Sequence, residues 1–201
     1  MKFLIGRKLH MTQQFADDGA ASGVTLVQIS PCIVTGVWRS ELHGRNAIQL
    51  SCEPVKRPTK KHPERVVYRA VREFPCDAAL ADSVKVGDTV DESLFANGDA
   101  IQVQGTMKGR GFQGVVKRHG FHGSPKSHGH KDQLRMPGSV GQSTNVSRVF
   151  KGKRMGGRMG GVTRTVTGLQ ILAVDSERHQ VAVKGGIPGA RNSLVLLISK
   201  S

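Results

Sequence analysis

Lys108-Gly109-Arg110-Gly111-Phe112-Gln113-Gly114-Val115-Val116-Lys117-Arg118-His119-Gly120-Phe121 opens the stretch that decides how this 201-residue chain is built. Between Gly105 and Thr165 stand thirteen Lys and Arg and a single acid, Asp132. That stretch therefore holds +12 of the chain's formal net charge of +15. It is full of Gly and has no long apolar period. Such a segment buries little apolar surface to set against an ordering cost of about 1–2 kcal/mol per residue. Its like charges also repel one another. It is expected to order against a polyanion, and a structured nucleic acid is the natural one.

On both sides of this stretch the chain reads as β. Val24–Ile29 is rich in β-branched residues and stops before Pro31. Ile33–Trp38, Ala47–Leu50 and Val66–Val71 are further short strands, with turns expected at Asp17-Asp18-Gly19 and Leu42-His43-Gly44-Arg45. Residues 54–65 hold three prolines and five bases and read as an exposed basic loop. Val84–Val90 alternates about a Gly-Asp turn, Asp91–Phe95 suits a helical turn, and Asn97-Gly98 is the strongest hairpin dipeptide. Ala100–Gln104, Val162–Val166, Leu169–Val174, Val181–Lys184 and Leu194–Ile198 complete the strands, with Asp175–Gln180 as a polar turn. Many short strands at this spacing predict a mainly β chain with a small barrel. The expected barrel domain is 1–105 plus 163–201. A long, basic, Gly-rich irregular extension, 106–162, interrupts it and is ordered by a partner instead of a core.

Bulk composition narrows the classes. At 37% apolar residues the chain can build one modest core. No apolar run approaches the roughly 18 residues of a membrane span. The opening Met1–Lys8 run is too short for a signal peptide. Cys32, Cys52 and Cys76 are odd in number with no CxxC pair, so they read as reduced thiols of a cytoplasmic protein.

Each chemical motif in the basic stretch has a plain alternative. Gly109–Gly114 satisfies GxGxxG, but a dinucleotide site needs a strand before it, a helix after it and βαβ alternation around it. β-branched residues and another Gly follow, and no such alternation exists. His119, His122, His128 and His130 offer H-x-x-H and H-x-H spacings. With no Cys nearby, one carboxylate and many cations, they suit hydrogen bonding to phosphate or 2′-OH better than a metal. No acid pairs with a His or a nucleophile in a recognisable catalytic motif, so neither cofactor nor small-molecule substrate is expected. Glycines let the backbone approach phosphates, and Arg supplies a fork that grips them. The single Trp and Tyr lie outside the stretch, which keeps only Phe112, Phe121 and Phe150 as ring platforms. The expected mode is shape and backbone recognition of folded RNA, with little base readout. An RNA-processing or RNA-modifying enzyme using the His cluster, and a DNA-architectural protein, are the competing classes.

Whole blocks of the chain are specific to a family. Lys108–Phe121 resembles the signature of the universal large-subunit ribosomal protein three, the L-three family. Arg135-Met136-Pro137-Gly138-Ser139-Val140-Gly141-Gln142 resembles that family's next block, and Arg148–Gly160 the one after. Gly6, Lys8, Met11-Thr12, Phe15, Gly19 and Val24-Thr25 match its opening pattern, and Val174-Asp175 with Val183–Gly189 its closing one. His10 stands where the family usually has Gly, Gly23 where it usually has Pro, and residues 52–80 match poorly. Length and motif order look bacterial.

The resemblance implies a barrel of the translation-protein type and a structural, non-enzymatic constituent of the large ribosomal subunit. It implies binding to 23S rRNA near its 3′ domain, an early role in assembly, and a loop reaching towards the peptidyl-transferase centre. The L-fourteen and L-nineteen ribosomal protein families are the implied neighbours. The residues expected to bind rRNA are Lys108, Arg110, Lys117, Arg118, His119, His122, His128, Arg135, Gln142, Arg148, Lys151, Lys153, Arg154 and Arg158. Gln142 also matches a glutamine that a methyltransferase converts to N5-methylglutamine in bacterial members, so it is a candidate modification site.

Overall fold

The computed structural model of the chain describes residues 2–16, 19–56, 66–142 and 144–199. In chain order the strands are β1 Lys2–Phe15, β2 Ala21–Ile29, β3 Cys32–Trp38, β4 Ala47–Lys56, β5 Val66–Pro75 and β6 Thr89–Val90. They continue as β7 Ala100–Thr106, β8 Phe112–Gln113, β9 Gly157–Arg158, β10 Thr163–Asp175, β11 Gln180–Lys184 and β12 Leu194–Ser199. Three short helices intervene, α1 Ser40–His43, α2 Ala78–Ser83 and α3 Val115–His119, with a 3-10 turn at Glu92–Leu94. The chain divides into two compact units, one running to Met107 and resuming at Thr163, the other Lys108–Val162. The mainly β class expected from the sequence is what the chain adopts.

The larger unit has two sheets. β1, β12, β7, β10, β11 and β2 pair in that order, and β2 pairs again with β1, closing a barrel. β5, β4, β3 and β6 form a second, open sheet. Leu4, Val27, Ile171, Val181, Val183, Val195 and Leu197 are among the fully buried side chains, and each contributes about 1.5–3 kcal/mol by leaving water. Two of the buried polar side chains find partners inside: Thr25 Oγ1 donates to the Gly185 carbonyl at 2.7 Å, and Ser51 and Thr35 share a hydroxyl bond of 2.7 Å.

β1 is the element that periodicity does not reveal. Phe3, Leu4 and Ile5 are all buried in succession, because one face meets the barrel interior and the other meets β5. Alternation disappears when both faces of a strand are covered. On the second face Phe3 stacks on Phe74, with ring centroids 4.5 Å apart and planes 10° off parallel. Gly6 is required next: a Cβ there would stand 2.6 Å from Val27 Cγ1 and 2.9 Å from the Gln28 oxygen.

Other local expectations are corrected by long-range pairing. Leu42–Arg45 is not a plain turn but the end of α1, closed by Gly44 at φ 67°. Of the expected basic loop, residues 54–56 belong to β4; the rest, 57–65, lies outside the described residues, as do Asp17 and Asp18. β4 tolerates Pro54 because β3 has already ended opposite Cys52, so one edge there is unpaired. Asn97-Gly98 makes a turn but no hairpin: β6 pairs with β3, whereas β7 pairs with β10 and β12. Asn97 Oδ1 instead accepts from the Val174 amide at 3.0 Å. The expected strands at 162–166 and 169–174 are one strand, β10, irregular between Val166 and Leu169 where Gly168 takes φ 73°. Two positions singled out in the sequence lie in open surroundings: a Cβ at Gly23 would meet nothing within 4 Å, and His10 is exposed where the β1–β2 register shifts.

β7 and β10 bound the insertion and pair with each other, Thr106 opposite Thr163. The barrel thus closes across the insertion, and its length costs the barrel only loop entropy, which grows slowly.

Candidate nucleic-acid interface

The unit Lys108–Val162 is held by its ends. The Arg110 amide donates to the Met159 carbonyl at 2.8 Å, and the Met159 amide returns to Gly111 at 2.9 Å. β8 and β9 continue this ladder, with Phe112 opposite Arg158. Gly160 takes φ 74°, and any Cβ on it would overlap the Lys108 carbonyl, so only glycine lets the two limbs touch.

A helix does follow the GxGxxG run, which the sequence did not promise. It is α3, five residues long, ended by Gly120 at φ 73°. No βαβ unit surrounds it, since the strand pairings of the described residues are antiparallel. Val115 on α3 is the one buried side chain among the described residues of this unit. A unit with so small a core is held by backbone bonds and glycine contacts, not by apolar burial.

α3 carries Lys117, Arg118 and His119 in its last turn. Arg118 Nη1 donates to the Met155 carbonyl at 2.8 Å, and His119 Nε2 lies 2.9 Å from the same oxygen. One carbonyl therefore ties α3 to the basic tract 151–158. An open hollow of about 860 Å³ results, lined by His119, Phe121, His122, Gln133, Met136, Pro137 and Arg154 among others. The Ser124 amide donates to the Leu134 carbonyl at 3.0 Å and joins two of its walls.

The expected RNA-binding residues distribute as follows. His119, His122 and Arg154 share that hollow. Gln142 and Arg148 share a second, with Ser139 and Val149, and the Arg148 guanidinium lies 5.7 Å from the Phe150 ring centre. Lys108, Arg110, Lys117, Arg118, Arg135, Lys151, Lys153 and Arg158 are exposed. His128 is exposed at φ 63° and lines neither hollow. Among the described residues no three of His, Cys, Asp and Glu gather as a metal-ligand set. Phe121, Gln133, Met136 and Pro137 were invisible to a reading led by charge; Phe121 was at least notable as one of three rings in the segment.

The electrostatics separate the two units. Among the described residues the ion pairs are Lys2–Asp99, Arg7–Glu53, Arg39–Asp82, Arg45–Glu73, Arg178–Asp175 and His179–Glu92, all outside 108–162. The twelve Lys and Arg of 108–162 therefore present charge that no carboxylate of the described chain neutralises. Such a surface concentrates anions and suits a polyphosphate backbone.

Known proteins resemble the chain over nearly its whole length. The family model for ribosomal protein L3 matches residues 77–186. The large ribosomal subunit protein uL3 of Roseiflexus sp. (strain RS-1) is 44% identical over 201 residues, covering 96% of this chain and 95% of that protein. The uL3 protein of Herpetosiphon aurantiacus is 42% identical, covering 96% and 94%. That of Laribacter hongkongensis is 38% identical, covering 97% and 95%.

Proposed function

The chain belongs to the ribosomal protein L3 family, and from that premise we propose that its basic unit anchors it in the large ribosomal subunit by gripping folded rRNA. It is a structural constituent of the large subunit and not an enzyme, and its place is the cytoplasmic ribosome. Among the described residues no helix is long and apolar enough to cross a membrane. The finer reading is that Lys108–Val162 binds 23S rRNA near its 3′ domain, early in assembly, and extends towards the peptidyl-transferase centre. Neighbours would be proteins of the L-fourteen and L-nineteen families.

The observation that carries this reading is the unneutralised charge. Twelve cations stand in 55 residues with one acid and no ion pair among the described residues. A protein with that surface repels itself until an anion arrives. Glycines at Gly111, Gly120, Gly123, Gly138, Gly152 and Gly160 with positive φ give a backbone free of Cβ atoms, able to approach phosphates closely. Gln142 is exposed after Gly141, whose carbonyl accepts from Ser139 Oγ at 3.0 Å, so a glutamine methyltransferase has access to it before RNA covers the unit.

The test is sedimentation. The full chain should travel with large subunits through a gradient run at low salt and be released progressively as salt rises. Absence from the large-subunit fractions at low salt would overturn an anchoring role. Deletion of 109–161 should abolish co-sedimentation while the barrel stays folded by circular dichroism.

A further inference from the structure

The hollow beside α3 is built for more than a phosphate backbone. Its walls come from three segments, 119–124, 133–138 and Arg154. Phe121, Met136 and Pro137 supply an apolar side, and Arg154, His122, Ser124 and Gln133 supply donors. No carboxylate lines it. The His119 and Phe121 rings stand 6.1 Å apart and inclined by 45°, and His119 is held in place by its bond to Met155. Gly123 shapes the wall: at φ 76° its Cα packs on the Leu134 carbonyl so closely that a Cβ would overlap it. At about 860 Å³ the space falls in the range of small-ligand sites.

A ligand that matches these walls has a flat apolar face, hydrogen-bonding edges and a negative charge at one end. We infer that this hollow receives one unstacked nucleotide of the rRNA. Its base lies against Phe121 and Met136, Gln133 reads its edge, and Arg154 and His122 hold its phosphate. The inference rests on the rRNA-binding reading and adds base insertion to it. Aromatic scarcity argues against a run of stacked bases, but one ring is enough for one nucleotide.

Salt dependence separates this contact from the others. Neutralising phosphate releases counterions and steepens the salt slope, whereas stacking a base releases none. Binding of the full chain to a transcript of the 3′ domain of 23S rRNA should be measured across salt concentrations. Phe121→Ala should weaken binding roughly 5- to 150-fold at every salt, with the slope unchanged. Phe121→Trp should restore affinity to within a few-fold. Arg154→Gln should weaken binding and make the slope shallower by about 0.7–0.9. Phe15→Ala, 64% exposed on β1 and outside Lys108–Val162, should bind as wild type. Wild-type affinity in Phe121→Ala, or a loss that Trp does not rescue while the circular dichroism stays native, would overturn base insertion. So would normal rRNA binding by Phe121→Ala with reduced occupancy in assembled subunits, which would assign the hollow to a protein neighbour. A shallow wild-type slope would instead defeat the rRNA-anchoring reading itself.

Discussion

Arg7 of β1 and Glu53 of β4 form a forked ion pair that ties the barrel to the open sheet. Nη2 lies 2.8 Å from Oε2, Nε donates to Oε1, and Nη1 also reaches the Asn192 carbonyl at 2.9 Å. Glu53 adopts φ 56°, a left-handed conformation costly for a residue with a Cβ. The pair stands where that backbone departure turns the carboxylate towards Arg7.

Replacing Glu53 by Gln should therefore lower stability by about 1 kcal/mol, a charge-assisted bond discounted for partial exposure. The effect should depend on pH. The Arg7 hydrogen bonds hold the Glu53 carboxyl below its ordinary 4.5, with burial opposing and the Arg7 charge adding. A folded-state pKa below the unfolded one gives stability that is complete above about pH 4.5 and lost as pH falls through the lowered value. Urea unfolding should show wild type and Glu53→Gln converging in acid and separating above pH 5. A constant difference across pH would assign the loss to packing.

The thiols should divide by burial. Cys32 and Cys52 face each other across β3 and β4 with 0% and 2% exposure, and Cys76 is half-buried. Contact with Cys32, then burial, raises the Cys52 thiol above its ordinary range; burial does the same to Cys76. An aromatic disulfide reagent should label Cys76 slowly and the other two only on unfolding. Rapid labelling of two or more thiols in the native protein would contradict the packing of β3 on β4.

Affinity for rRNA should fall steeply with salt. Contacts with on the order of 8–10 phosphates, from the thirteen cations between Gly105 and Thr165 together with residues 54–65, imply a log–log slope of roughly −6 to −7 on partly single-stranded RNA. A measured slope shallower than about −2 would refute a charge-driven interface.

Charge reversal at Lys151, Lys153 and Arg154 together should remove the protein from large subunits and leave the barrel folded. All three are exposed and none is ion-paired among the described residues. Each lost charge-assisted contact costs about 1.5–3 kcal/mol. Normal occupancy of the triple Glu variant, read by mass spectrometry of gradient fractions, would end the anchoring role for this tract.

Gln142 should carry one added methyl in protein from native ribosomes of a host that has the methylase. The change removes one N–H donor and keeps the carbonyl acceptor, without altering charge. Fragment spectra that place no methyl on Gln142 would remove the modification and leave its RNA contact to be judged separately.

The sequence by itself determined what is local. Thirteen bases against one acid between Gly105 and Thr165, the glycine-punctuated blocks and the strands with one solvated face can all be read residue by residue. Charge, glycine content and two-residue alternation need no knowledge of what lies across the fold. Tertiary structure decided what depends on distant partners. β1 hides its period because Phe3, Leu4 and Ile5 are covered on both faces, and its pairing of Lys2 with Ser199 joins opposite ends of the chain. Asn97-Gly98 turns without making a hairpin because β7 finds its partners in β10 and β12. The hollow exists because one carbonyl, that of Met155, holds both Arg118 and His119 from more than thirty residues away. Each is a non-local contact whose gain appears only after the loop between its partners has closed, and no pattern along the chain records that closure.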